Sequence, residues 1–231
     1  MRKTKNNFRC EVKNPGGENA ELYIYGDICG SEGECWSRDD VCPSMVISAL
    51  DEVKDAEKID IYINSGGGDV FAGIAIYNRL KSVKAHKTVH IDALAASIAS
   101  VIALAGDEVI MPENSFMMIH KAWTYAMGNA DDLRACADRL ETIEQSIVSV
   151  YDENSECSAE EINEKMSAET WLDAAGASEM FGKVRTAEPE EAAACVTELC
   201  FKNAPAGLIV RESADRDKAD STGIEDEIRV L

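Results

Sequence analysis

Ser97 and His120 carry the chemistry most open to this sequence. Ser97 lies in the small-residue run Ala95-Ala96-Ser97-Ile98-Ala99-Ser100, where a strand can turn sharply into a helix and leave a hydroxyl exposed. His120, one of three histidines, ends the apolar stretch Phe116-Met117-Met118-Ile119. A serine hydroxyl becomes a nucleophile when a base takes its proton, and neutral imidazole suits that task near pH 7. The pair reads as the nucleophile and base of a hydrolase. Simpler readings stand beside it. Ser97 suits the cap of a helix over 98–105, and His120 suits a packed strand end. Ser100, one turn further on, is a second serine that would face the core, while His86 and His90 bracket a strand and fit surface or packing roles.

A second element of the same chemistry is the turn Ile63-Asn64-Ser65-Gly66-Gly67-Gly68-Asp69-Val70. Glycines between a strand and a helix let backbone amides approach a bound group, and the helix amino terminus favours negative charge. The turn lacks the Lys-Ser/Thr of a phosphate-binding P-loop and the Gly-x-Gly-x-x-Gly spacing of a dinucleotide site. An oxyanion hole fits better, with amides set for the charge that develops when a carbonyl is attacked. A tight turn needing positive φ is the plain alternative.

The elements that must position these groups follow from periodicity. Alternation predicts strands over 21–27, 59–63, 87–91, 109–111 and 116–120. Helices are predicted over 43–53, with Val46, Ile47 and Leu50 inward, over 70–83 and over 98–105. Strand, small-residue turn and helix in repetition imply right-handed β–α crossovers, with ligands at the carboxyl ends of strands. A long helix over 131–152 carries Leu133, Cys136, Leu140, Ile143, Ile147 and Val150 on one stripe, which suits either the chain's own core or another subunit. Ser158 to Glu161 is a capping box, Asp173 suits the cap of a helix ending near Gly182, and Pro189 opens an alanine-rich helix toward Cys200. The organisation is an irregular arm over 1–20, one α/β domain over 21–202, and a polar, mobile tail over 203–231.

Composition bounds the partners. The 231 residues carry a formal charge of −20, which argues against binding a nucleic-acid backbone. No apolar run approaches the ~20 residues of a membrane-spanning helix, and no apolar segment follows the basic start, so no export signal is expected. Eight cysteines form no Cys-x-x-Cys pair and the three histidines are scattered, so neither a metal nor an organic cofactor is expected. Reduced thiols and a cytoplasmic location follow, with Cys29, Cys35 and Cys42 the closest-spaced group.

Taken in order, these motifs resemble the ClpP caseinolytic serine peptidases. That family's Ile-Asn-Ser-Pro-Gly-Gly, Ala-Gly and Ile-Tyr correspond to Ile63 through Gly68, Ala72-Gly73 and Ile76-Tyr77. Its Ala-Ala-Ser corresponds to Ala95-Ala96-Ser97, and its Pro-Asn-Ser and Met-Ile-His to Met111 through Ser115 and Met118-Ile119-His120. The likeness runs from about 21 to 184. It implies a crotonase-like β–α spiral, an acyl-enzyme mechanism and stacked heptameric rings, with the long helix as a projecting handle between rings. It also implies that the amides of Gly68 and Ile98 form the oxyanion hole. The Glu-Thr-Trp sequence at 169–171, the all-glycine turn and the short arm look like the phage and prophage branch, linked to capsid-precursor processing. Feeding by an ATP-driven unfoldase is the other partnership the resemblance implies.

The sequence departs from the family at Gly66, at Ala93-Leu94 and at the third triad member. Counting back from Phe181-Gly182 puts the family aspartate at Thr170, which could orient an imidazole but supplies no charge. Glu169 or Asp173 could substitute if the count slips. Two other readings of the same fold are an acyl-CoA hydratase or isomerase and a catalytically impaired structural ring.

Overall fold

The computed structural model describes residues 12–14, 18–188 and 203. The helix expected from Pro189, and the tail apart from Asn203, lie outside the described residues. The sheet begins with β1 (Val12–Lys13), antiparallel to β2 (Asn19–Tyr25), so part of the expected irregular arm is strand. Helix α1 (Pro43–Glu52) leads to β3 (Lys58–Ser65), α2 (Val70–Ser82) and β4 (His86–Ala96). Then follow α3 (Ile98–Ala103), β5 (Glu108–Pro112) and β6 (Phe116–Ile119). The rest is α4 (Ala130–Asn154), α5 (Ala159–Ser167), β7 (Thr170–Asp173), α6 (Ala174–Met180) and β8 (Val184–Ala187). The sheet order is β1-β2-β3-β4-β5-β8, with β6 on β4 and β7 on β6. Pairings are parallel except β1 with β2 and β6 with β7. This is a mixed α/β architecture, as the resemblance implies.

Strand β4 makes the geometry of the site. The alternation Val89 and Ile91 suggests a strand ending at 91, yet it continues through Ala93, Leu94, Ala95 and Ala96, all buried. Small residues let this extension run deep between neighbours, where its backbone groups find partners in two strands in turn. Thr88 to His90 pair with β5, whereas Leu94 to Ala96 pair with β6. On its other side Ile63 faces Ile91 but Ser65 faces Ala95, so the register with β3 shifts at this point. That shift brings the end of β3, and the glycine turn after it, level with Ser97.

Helices α2 and α3 pack together beneath that turn. A Cβ on Gly73 would lie 2.1 Å from Ile98 Cγ1, so the glycine is what lets α2 approach the first residue of α3. Asp69 caps α2 by accepting from the Ala72 amide at 2.7 Å. In α1, Val46 and Leu50 are buried as expected, but Ile47 is exposed and Ala49 takes the inward position.

Helix α4 divides in two. Leu133 is exposed and Cys136 and Leu140 are half-buried, so the first turns stand away from the core. From Glu144 onward Ile147, Val148 and Tyr151 are buried. Glu144, at stripe spacing from Leu140 and Ile147, is buried and paired with Lys121 at 3.3 Å, tying the helix to the chain just after His120. Among the described residues no helix is long and apolar enough to cross a membrane.

Gly73→Ala should destabilise the protein by about 1–3 kcal/mol, the usual cost of forcing a methyl into a packed contact. Gly182→Ala, where nothing lies within 4 Å of the added carbon, should stay within about 0.5 kcal/mol of the parent. Denaturant unfolding midpoints compare the two, and equal midpoints would contradict the packing described for α2 against α3.

Candidate active site

Ser97 joins β4 to α3 at φ 54 and ψ −129, a left-handed conformation that costs a side-chain-bearing residue about 1–3 kcal/mol. It occupies the cap position of α3, but its side chain makes no capping bond, so the simple cap reading fails. Instead the hydroxyl lies 2.7 Å from Nε2 of His120. The strain is held from several sides. The Ser97 amide donates to Met118 O at 2.8 Å in β6, and the buried Ser100 hydroxyl donates to Ser97 O at 2.6 Å. Ser100 also pairs with the Tyr151 hydroxyl at 2.7 Å, so this second serine braces the elbow against α4 and is no rival nucleophile.

The glycine turn stands directly against this elbow. Gly67 has φ 100, and a Cβ there would lie 2.7 Å from the Ser97 Cβ and 2.8 Å from Ala96 O. Gly68 has φ 140, and a Cβ there would lie 2.2 Å from Ile28 O. The neighbouring amides are engaged: Gly67 N–H donates to Ser65 Oγ at 3.1 Å and Asp69 N–H to Ile28 O at 2.7 Å. Ile98 opens α3, where no carbonyl of its own helix can reach its amide. Ile98 follows Ser97 directly, and Gly68 follows the glycine that packs on Ser97 and is itself seated against Ile28.

His120 is half-buried, and burial holds its pKa below the ordinary histidine value while Glu169 pulls it upward. Glu169 is the charged group that opposes this effect of burial. In the β6–β7 ladder Met118 pairs with Trp171 and Ile119 with Thr170, and His120 and Glu169 are the next residues beyond its end on the two chains. Thr170 is the position reached by counting back from Gly182. Its hydroxyl donates to Lys165 O at 2.7 Å, closing the turn after α5. Asp173 caps α6 by accepting from Gly176 N–H at 2.8 Å.

The other histidines lie apart from this arrangement. His90 Nε2 is 2.8 Å from Asp60 Oδ1, and its ring stacks on Tyr62 at 4.7 Å. His86 is exposed, 3.8 Å from Asp107. Cys29, Cys35, Cys42, Cys136 and Cys157 are free thiols.

The imidazole of His120 should titrate below about 6.5, because removing water from around it penalises the charged form. As pH falls through that value the imidazolium can no longer accept a proton. Glu169→Gln removes the influence that favours the cation and should lower the titration further. An NMR titration of the His120 ring checks both directions, and a midpoint above the ordinary value would contradict them.

Comparison with known proteins matches residues 28–184 to the Clp protease family. Among curated relatives, the ATP-dependent Clp protease proteolytic subunit of Deinococcus radiodurans is 30% identical over 126 residues, covering 53% of this chain and 61% of that protein. The protein of the same description from Bacteroides fragilis is 30% identical over 133 residues, covering 56% and 64%. That from Ligilactobacillus salivarius is 32% identical over 141 residues, covering 59% and 71%. The match spans about three fifths of the first two relatives. The matched segment holds both sides of the elbow, the glycine turn and the histidine strand, and on that extent the chain belongs to the Clp protease family.

Proposed function

We propose that the chain is a serine endopeptidase in which Ser97 attacks a peptide carbonyl and His120 acts first as base and then as acid. The observation that carries this is the 2.7 Å contact between Ser97 Oγ and His120 Nε2 at a left-handed elbow. In the first step the hydroxyl proton passes to Nε2 as oxygen bonds to the carbonyl carbon. The amides of Gly68 and Ile98 receive the resulting oxyanion. The proton then passes to the leaving amine as the C–N bond breaks, leaving an acyl-enzyme that water hydrolyses by the same route. Each oxyanion donor of this kind contributes about 3–4 kcal/mol to transition-state stabilisation.

Glu169 takes the role of the third triad member in this reading, orienting the ring and stabilising the imidazolium that forms. Its presence removes the main argument for an impaired structural ring. The Ser–His contact favours peptidase chemistry over a hydratase or isomerase, which would polarise a thioester through turn amides alone. The relatives' description as proteolytic subunits supports protein substrates. We assign the chain to stacked homo-oligomeric rings in the cytoplasm, with the exposed first half of α4 as the contact between rings. Its work there would be processing of phage-type capsid precursors or proteolysis fed by an unfoldase. The free thiols suit that compartment.

A fluorophosphonate probe should label the purified chain at Ser97. Ser97→Ala should abolish labelling, and His120→Ala should lower kcat/KM for peptide cleavage by about 10⁴-fold or more without changing the sedimentation of the oligomer. Label mapped to another residue, or cleavage that survives His120→Ala, would remove the basis for this function.

A further inference from the structure

Glu169 occupies a conformation that does not hold itself. Its φ is 50, left-handed for a residue with a full side chain, and it stands one residue before β7. A carboxylate that must face an imidazole from such a position needs partners that fix its plane and keep it ionised. Two donors meet on one of its oxygens. The backbone N–H of Asn203 donates to Glu169 Oε1 at 2.7 Å, and the indole N–H of Trp171 donates to the same oxygen at 3.3 Å. Asn203 has a second grip on the same peptide, since its Nδ2 donates to Ala168 O at 3.0 Å. Short N–H bonds to an ionised acceptor are among the stronger hydrogen bonds in proteins.

The two donors come from very different places. Trp171 packs against Leu94, Ala96 and Met118, apolar residues of the strands that lead to Ser97 and His120. Its indole thus fixes the carboxylate relative to both groups. Asn203 lies beyond residue 184, where the family match ends.

We propose that Asn203 and Trp171 are positioning residues for Glu169, so that the chain beyond the matched segment completes the active site. The inference rests on Glu169 being the carboxylate partner of His120. Through that partner, the Asn203 amide and the Trp171 indole raise the basicity of the imidazole and hold its ring toward Ser97. Their loss lets the carboxylate turn away, and His120 becomes a weaker base.

The test is the pH dependence of fluorophosphonate labelling of Ser97 in the full-length chain. Asn203→Pro removes the amide donor, whereas Asn203→Ala keeps it. Trp171→Phe keeps the ring and removes the indole donor, which serves if the proline variant does not fold. Asn203→Pro and Trp171→Phe should each slow labelling about tenfold at neutral pH, the scale of one hydrogen bond to a charged group, and should move the acidic limb to lower pH. Asn203→Ala, which keeps the amide donor and loses only the Nδ2 bond to Ala168 O, should slow labelling less than Asn203→Pro. Combined with Glu169→Gln, Asn203→Pro should add nothing, because its effect passes through the carboxylate. A parental profile in Asn203→Pro and Trp171→Phe, beside a shifted profile in Glu169→Gln, would overturn the positioning role alone. An undiminished effect of Asn203→Pro in the Glu169→Gln background would do the same. A parental profile in Glu169→Gln would remove the carboxylate role itself, and the positioning role with it.

Discussion

Two backbones cross at a distance that only glycine allows, and the geometry of the site follows from that crossing. Gly67 lies so close to Ser97 and Ala96 that any side chain there would displace the elbow. Ser97 in turn holds a conformation that an isolated peptide would leave, at a cost of about 1–3 kcal/mol. It persists because neighbours over-determine it. The Met118 carbonyl takes its amide, the Ser100 hydroxyl takes its carbonyl, and Gly67 closes the remaining side. Met118 also belongs to the strand that ends before His120, so the bond that fixes the elbow shares its support with the imidazole.

The loop before α1 extends this bracing outward. Ile28 N–H donates to Gly67 O at 2.7 Å and Ile28 O accepts from Asp69 at 2.7 Å, so one residue clamps both sides of Gly68. That loop is organised by Asp40, a buried carboxylate that accepts from the amides of Trp36 and Ser37, each at 2.8 Å. A buried carboxyl is costly unless hydrogen-bonded, and here three backbone donors, those two and the more distant Asp27 amide, offset the cost. The position of the proposed oxyanion amide therefore depends on a carboxylate remote from the chemistry.

Opposing electrostatic influences meet at His120. Burial favours the neutral ring, which is the form able to take a proton, while Glu169 favours the charged ring that follows. A base that cycles between both states benefits from a balance between them. Most of the chain's acidic excess lies elsewhere, as on the exposed faces of α4 and α5, where it is solvated and reaches the site weakly across water and salt.

Much of this molecule could be read along the chain. Alternation located β2, β3 and the start of β4, capping residues located α5 and α6, and the small-residue and histidine motifs drew attention to Ser97 and His120, which the fold brings to 2.7 Å. These are local signals, because strand alternation, helix caps and sharp turns each depend on neighbouring residues. What the chain could not reveal was which distant residues meet. The length of β4 followed from pairing with two strands in succession, and packing supplied Lys121 as the partner of the buried Glu144. Antiparallel register brings the chain before Thr170 to the same end of the ladder as His120, while the Thr170 hydroxyl closes the turn after α5. Sequence determined the chemistry available, since residue type decides what can attack, accept or donate. Tertiary structure decided which of those groups act together, since register and packing bring them within hydrogen-bond reach.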